Sequence, residues 1–246
     1  GPANAGPTTS DIQASAATSP ASAATAAGAL PAASPAQSLP AMTDQRILEA
    51  SFALIERELG PHHFPDWAFA VVRRMIHASA DFDFAQTLKW SDDFAEAVAQ
   101  ALRQPITIAV DTEMVRVGIA RHAARTANVS VVCYLNDPEA ATLAAAAGLT
   151  RSAAGIRLVA RRHPNPLLAI GNAPTALDEA VRLIEQEGWR PRAVVGMPVG
   201  FVGVEEAKSR LLAQRHVAYL SCVGRKGGSA VTAAALNALL EFWQSP

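Results

Sequence analysis

The side chain best suited to proton chemistry is His77, which closes the segment Arg73-Arg74-Met75-Ile76-His77. An imidazole with an unperturbed pKa of about 6.5 can lend and recover a proton near neutrality. Arg74 lies three residues earlier, about one helical turn away, so a guanidinium and an imidazole could face one cleft. The same spacing also fits a histidine that merely meets the negative end of a helix, and residue types alone leave both readings open. The other histidines make no metal set. His62 and His63 are adjacent and diverge on regular structure, while His122, His163 and His216 have no second ligand at a usual spacing. No metal site is expected. Cys133 and Cys222 both sit inside apolar runs, which fits buried thiols better than a disulfide.

Glycine and polar residues gather in four further places. Asp111-Thr112-Glu113, Gly171-Asn172-Ala173-Pro174-Thr175, the run from Gly196 to Gly203, and Gly224-Arg225-Lys226-Gly227-Gly228-Ser229 each follow a short apolar run. Such loops can line one large site. None carries a nucleotide fingerprint: the 196–203 loop lacks the G-x-G-x-x-G order, and GRKGGS lacks the G-x-x-x-x-G-K-[ST] order that places a phosphate-binding lysine.

The elements that must position these residues follow from hydrophobic periodicity. A helix is predicted over Asp44 to Leu59, a second from Pro65 through His77, and a third capped by Ser91 and ending near Arg103. Beyond it, β-rich runs at Ile106–Val110, Val129–Leu135, Leu167–Ile170, Ala193–Val195 and Val217–Val223 alternate with helical stretches. Apolar runs bounded by helices are the mark of parallel strands covered on both faces. The expected fold is therefore α/β: a single doubly wound, mainly parallel sheet with flanking helices and a ligand crevice at the strand ends.

Residues 1–41 differ from the rest. They are dominated by Ala, Pro, Ser, Gly and Thr, with Asp11 as their one charge, and read as a disordered or linker-like tail; 42–246 reads as the folded domain. The tail lacks the basic start of a signal peptide, and no segment offers an uninterrupted apolar span of membrane length. A cytoplasmic location is expected. With 21 Lys and Arg against 22 Asp and Glu, nothing recommends a nucleic-acid or anionic membrane surface.

Six blocks in unbroken order over about residues 44 to 242 resemble the precorrin-8X methylmutase, or precorrin isomerase, family. They are Arg73 to His77, Asp111 to Val115, Thr150 to Ala154, Ala169 to Leu177, Gly196 to Gly203 with the Glu206-x-Lys208 step after it, and Gly224 to Ser229. The resemblance implies an intramolecular methyl shift from C11 to C12 of a tetrapyrrole: precorrin-8X to hydrogenobyrinic acid, or the cobalt-containing counterpart to cobyrinic acid. It implies no redox or organic cofactor, an α/β fold assembled as a homodimer, and His77 as the catalytic histidine ending the family's R-M-[IV]-H segment. The tail would also suit a tether to a neighbouring domain of the same pathway. A noncatalytic corrinoid carrier using the same pocket is the competing function.

A corrinoid carries many carboxylates around an apolar ring, so its pocket calls for Arg, Lys, hydroxyls and backbone N–H groups. Expected substrate contacts are Arg74, Arg151 at the start of a helix, Lys208 and Arg225. Ser51 joins them because Glu49-Ala50-Ser51-Phe52-Ala53-Leu54 matches the family's opening helix. Thr175 and Ser229 could each cap the helix they begin or donate to the ligand. Asp111 and Glu113 are expected to organise their loop. The stretch Ala78 to Phe84 matches neither common form of the family closely, which leaves the cobalt status of the substrate open.

Overall fold

The computed structural model describes residues 43–126 and 128–244. The expected linker-like tail, 1–41, lies outside the described residues. In chain order the elements are α1 (Asp44–Leu59), α2 (Asp66–Ser79), α3 (Phe84–Thr87), β1 (Leu88–Trp90), α4 (Phe94–Ala101), β2 (Ile106–Val110) and α5 (Glu113–Arg125). They continue with β3 (Val129–Cys133), α6 (Pro138–Ala147), α7 (Arg151–Arg162), β4 (Leu167–Ile170) and α8 (Pro174–Glu187). The last are β5 (Ala193–Gly196), α9 (Val204–Ala213), β6 (Tyr219–Cys222) and α10 (Ser229–Gln244).

The six strands form one sheet in the order β1-β6-β5-β4-β2-β3, parallel except for β1, which runs antiparallel to β6. This is the doubly wound α/β arrangement expected from the alternation of apolar runs and helices. The burial pattern within single strands shows how the sheet is held. Ile106, Ile108 and Val110 face one core with α2, α4, α5 and α10, while Ala109 faces the other with α7 and α8. Leu167 and Ala169 join the first core, Leu168 and Ile170 the second. Burying each large side chain contributes about 2 kcal/mol. A one-residue slip would exchange the two faces, so the alternation pins the register.

Three local expectations give way. Leu88–Trp90 is a strand that its three residues are too few to announce; it exists because Leu88 and Trp90 register against Cys222 and Leu220 of β6. Ser91 does not cap the next helix, because its backbone and side chain belong to the sheet edge: Ser91 N–H donates to the Tyr219 carbonyl (3.0 Å) and Ser91 Oγ accepts from Tyr219 N–H (2.9 Å). The helix accordingly starts later, at Phe94. Pro65 stands just outside α2, its ψ of 156° extended, instead of in the first turn. Cys133 and Cys222 are free thiols, half-buried and buried respectively.

β2 is flanked by β3 on one side and β4 on the other, so the chain reverses its direction of winding there. In sheets of this kind the crevice outside the carboxyl ends at that reversal is where ligands bind. Asp111 follows β2 and Gly171 follows β4, which places both at this point.

Candidate functional site

Asp111 is buried, and its carboxylate organises the crevice. Oδ1 accepts from Gly171 N–H at 2.7 Å, and Oδ2 accepts from Asn172 N–H at 3.0 Å and Ala173 N–H at 2.9 Å. Ala173, the N-cap of α8, has no side-chain oxygen and α8 has no side-chain cap; Asp111 instead fixes the three residues that lead into the helix. Burial pushes the Asp111 carboxyl above its usual range, against the pull of those N–H donors. Gly171 is required here: a Cβ would lie 2.8 Å from Val115 Cγ2 and 3.0 Å from Thr232. Glu113 pairs with Arg116 Nε at 2.6 Å within the first turn of α5, whereas Asp111 serves the loop.

Hydroxyls knit the neighbouring helix starts. Thr112 Oγ1 caps α5 through Val115 N–H and lies 3.1 Å from Ser229 Oγ, which joins the first turns of α5 and α10. Thr150 Oγ1 caps α7 through Ala153 N–H and lies 2.9 Å from Thr175 Oγ1. Thr175 is therefore not the cap of α8; its exposed hydroxyl pairs with a neighbouring threonine. Arg151 stands exposed in the first turn of α7 beside this pair.

The loops after β5 and β6 are built against each other. Gly228 N–H donates to the Met197 carbonyl at 2.9 Å and Gly200 N–H to the Arg225 carbonyl at 3.2 Å. The Arg225 guanidinium sits over the Phe201 ring, 5.5 Å from its centroid, and lies 3.7 Å from Glu205. Phe201 and Val202 are 83% and 91% exposed, large apolar side chains held out from a turn between Gly200 and Gly203. The signal for that exposure in the sequence is a Phe-Val pair between glycines.

Lys208 departs from expectation. It is 1% exposed, and its Nζ donates to the carbonyls of Gly224 and Lys226, each at 2.8 Å. Its ammonium holds the β6–α10 loop from inside, so the expected direct contact with substrate carboxylates gives way to a role within the fold. Burial pulls its pKa below the usual lysine value and pushes the neighbouring Cys222 thiol up.

His77 occupies the last turn of α2 and is exposed. Its ring meets Phe52 of α1 edge-on, with centroids 5.6 Å apart. Phe52 also lies under Arg73, 4.2 Å from its centroid, and 5.7 Å from Arg74. Phe52 was not singled out from sequence, although Ser51 beside it was; Ser51 is half-buried on α1. Arg74 and His77 thus share one aromatic neighbour, but the Arg74 guanidinium is committed to Glu241 of α10. Beside it lies a cleft of about 650 Å³ lined by Phe52, Arg73, Arg74, Arg121, Arg125 and Glu241, among others.

The end of the His77 helix is tied to the Arg225 loop. Ala80 ends α2 in the left-handed region, and the Lys226 ammonium bridges Asp81 (2.7 Å) and Asp83 (2.6 Å). The Lys226 hydrogen bond holds the Asp81 carboxyl below its usual range. The structure therefore gathers Arg225, Ser229, Thr112 and Lys208 in one group, His77 and Arg74 around Phe52 in a second, with Ser51 next to Phe52 in the chain, and Arg151 with Thr175 in a third. Lys226 links the first two. Among the described residues, no group of three or more His, Cys, Asp or Glu side chains could hold a metal ion, and no helix is long and apolar enough to cross a membrane.

A mainly parallel doubly wound sheet, with cations and hydroxyls on the loops at its carboxyl edge, defines an α/β protein with a polar crevice at its strand ends. The profile of the precorrin-8X methylmutase family matches residues 46–242, and the chain belongs to that family. It is 40% identical over 194 residues to the precorrin-8X methylmutase of a Sinorhizobium species, covering 78% of this chain and 92% of that protein. It is 41% identical over 183 residues to the cobalt-precorrin-8 methylmutase of Salmonella typhimurium, covering 72% and 85% of the two chains. Its fold is similar to the crystal structure of precorrin-8x methyl mutase from Thermus thermophilus, with a TM-score of 0.73, 37% identity, and 80% and 96% of the two chains covered.

Proposed function

We propose that this protein is an intramolecular isomerase that moves a methyl group from C11 to C12 of precorrin-8X, or of cobalt-precorrin-8, in cobalamin biosynthesis. The product is hydrogenobyrinic acid or cobyrinic acid. The observation that carries this reading is the family match over residues 46–242, which includes every proposed site residue. The catalytic unit is assigned to residues 42–246.

His77 is proposed as the proton donor and acceptor. Its exposure in the last turn of α2 supports the assignment, because an imidazole must reach the ligand to act on it. Protonating the ring C nitrogen would draw electrons from the conjugated system. The methyl group then migrates in a 1,5-sigmatropic shift, with the bond to C11 breaking as the bond to C12 forms, and the proton returns to the imidazole. No external nucleophile or redox step enters. Arg225, Arg151 and Arg74 are proposed to meet carboxylate arms, with Ser51, Thr175 and Ser229 adding hydroxyl contacts; the exposure of Arg225 and Arg151 supports their part.

Homodimer assembly belongs to the proposal and is supported by Met114 and Val117, apolar side chains of α5 that are 70% and 63% exposed. A cytoplasmic site of action is supported by the two free thiols. Attachment of a neighbouring pathway domain through residues 1–41 completes it.

Anaerobic incubation with precorrin-8X tests the function. A visible spectrum moving to that of hydrogenobyrinic acid at unchanged ligand mass is the expected result. Bound ligand with an unaltered spectrum would instead mark a carrier, since tight ground-state binding supplies no catalysis. The same assay with cobalt-precorrin-8 assigns the natural substrate.

A further inference from the structure

We infer that Lys208 is a positioning residue whose buried ammonium shapes the 224–228 loop and thereby presents Arg225 to the carboxylates of the tetrapyrrole. The inference rests on the reading of Arg225 as a carboxylate contact.

The geometry around the ammonium carries it. Lys208 reaches from α9 into the loop after β6 with its side chain fully covered. Nζ donates to the Gly224 carbonyl at 2.8 Å and the Lys226 carbonyl at 2.8 Å, and lies 3.8 Å from Cys222 Sγ. An ammonium has three hydrogens, and these neighbours account for all of them. The Cys222 thiol donates a second bond to the Lys226 carbonyl at 3.4 Å.

The two carbonyls belong to the residues on either side of Arg225. With both drawn inward to one cation, the intervening side chain is left to project outward, where it stands over Phe201. The loop needs such a clamp. Gly224 and Gly228 take φ of 92° and 116°, so a segment with three glycines among five residues has many conformations to lose. On the far side Gly227 presses against the preceding loop, where a Cβ would come within 2.4 Å of the Met197 carbonyl oxygen. The loop is thus held between the Lys208 ammonium beneath and the β5–α9 turn beside it. A lysine kept from solvent at the expense of its own charge hydration, with carbonyls as its partners, fits a residue retained for this geometry better than one retained for packing.

Lys208→Met tests the idea, because it preserves the length and volume of the side chain while removing the donors. Full-length wild type, Lys208→Met, Arg225→Ala and the double variant are titrated with hydrogenobyrinic acid by visible absorbance, and KM and kcat are measured with precorrin-8X. Each single variant is expected to weaken product binding about tenfold, the scale of one charged hydrogen bond. The double variant is expected to be no weaker than Arg225→Ala, and Lys208→Met to raise KM more than it lowers kcat. Wild-type product affinity in Lys208→Met beside weakened Arg225→Ala overturns the inference, as do fully additive losses. Unchanged affinity in Arg225→Ala overturns the contact reading beneath it. Should the methionine variant not fold, Lys208→Gln, which keeps a donor, is expected to bind product with intermediate affinity; wild-type affinity there would overturn the inference equally.

Discussion

The imidazole of His77 meets the phenyl ring of Phe52 edge-on, with 5.6 Å between centroids and 79° between planes. An exposed side chain at a helix end is otherwise free to turn, so this contact from α1 selects the orientation of a group on α2. An edge-on aromatic pair contributes about 0.5–1.5 kcal/mol. Phe52→Leu is expected to lower kcat by up to about tenfold on that scale with little change in KM. Steady-state kinetics on precorrin-8X provide the check; an increase in KM alone would place Phe52 in substrate binding.

His77→Asn keeps a polar side chain but cannot shuttle a proton at neutral pH. Loss of a general acid–base group is expected to lower kcat by about 10²–10⁴. Binding of hydrogenobyrinic acid should stay near the wild-type value. A variant that folds and isomerises at the normal rate would remove His77 from the mechanism.

Asp111 carries the start of α8. Asp111→Ala strands the buried N–H groups of Gly171 and Ala173, while that of Asn172, an exposed residue, turns to water. The expected loss is about 2 kcal/mol or more, since each of these two unsatisfied buried donors costs about 1–3 kcal/mol. Denaturant unfolding monitored by tryptophan fluorescence measures it. A loss below about 1 kcal/mol would show that the α8 start finds other partners.

Glu179 supplies a pH-dependent contribution. Burial pushes its carboxyl up, but hydrogen bonds from Arg182 (2.6 and 3.0 Å) and Arg157 (3.0 Å) outweigh burial and leave it below its usual value. A depressed folded pKa means that the unfolded chain binds the proton more tightly. The stabilisation is therefore present above the unfolded value of about 4.3 and fades as pH falls through the folded one. Glu179→Gln should be less stable at pH ~7 and lose stability less steeply on acidification below about 5. Parallel denaturation curves for the two proteins across that range would contradict this.

Gly227 has no room for a side chain. Its Cβ would stand 2.4 Å from the Met197 carbonyl oxygen and 2.5 Å from that of Pro198. Because both obstacles are backbone, Gly227→Ala must displace one loop. A destabilisation of about 1–3 kcal/mol is expected, the scale of forced overpacking, together with weaker binding of hydrogenobyrinic acid. Thermal unfolding and product titration report on both.

Much of this was present in the chain before it folded. The periodicity of Asp44 to Leu59 and the apolar runs at Ile106–Val110 and Leu167–Ile170 define elements that the structure reproduces residue for residue. Ordered blocks around His77, Asp111, Gly171, Gly196 and Gly224 were enough to indicate the family. Local pattern carries such information because helix and strand periods, glycine turns and motif order are properties of near neighbours.

What the sequence by itself determined was therefore the class of fold, the family, and the side chains available for the chemistry. Tertiary structure alone decided how those side chains are used. Residue type makes Lys208 a cation available to any anion; the fold buries it under two carbonyls 16 and 18 residues away. Ser91 looked like a helix cap until β6 claimed both its backbone and its hydroxyl. Asp111 holds a loop sixty residues distant, and Phe52 touches His77 from another helix. Each outcome depends on pairing across long stretches of chain, and on which charges lose their water in the process, and neither is a property of local sequence.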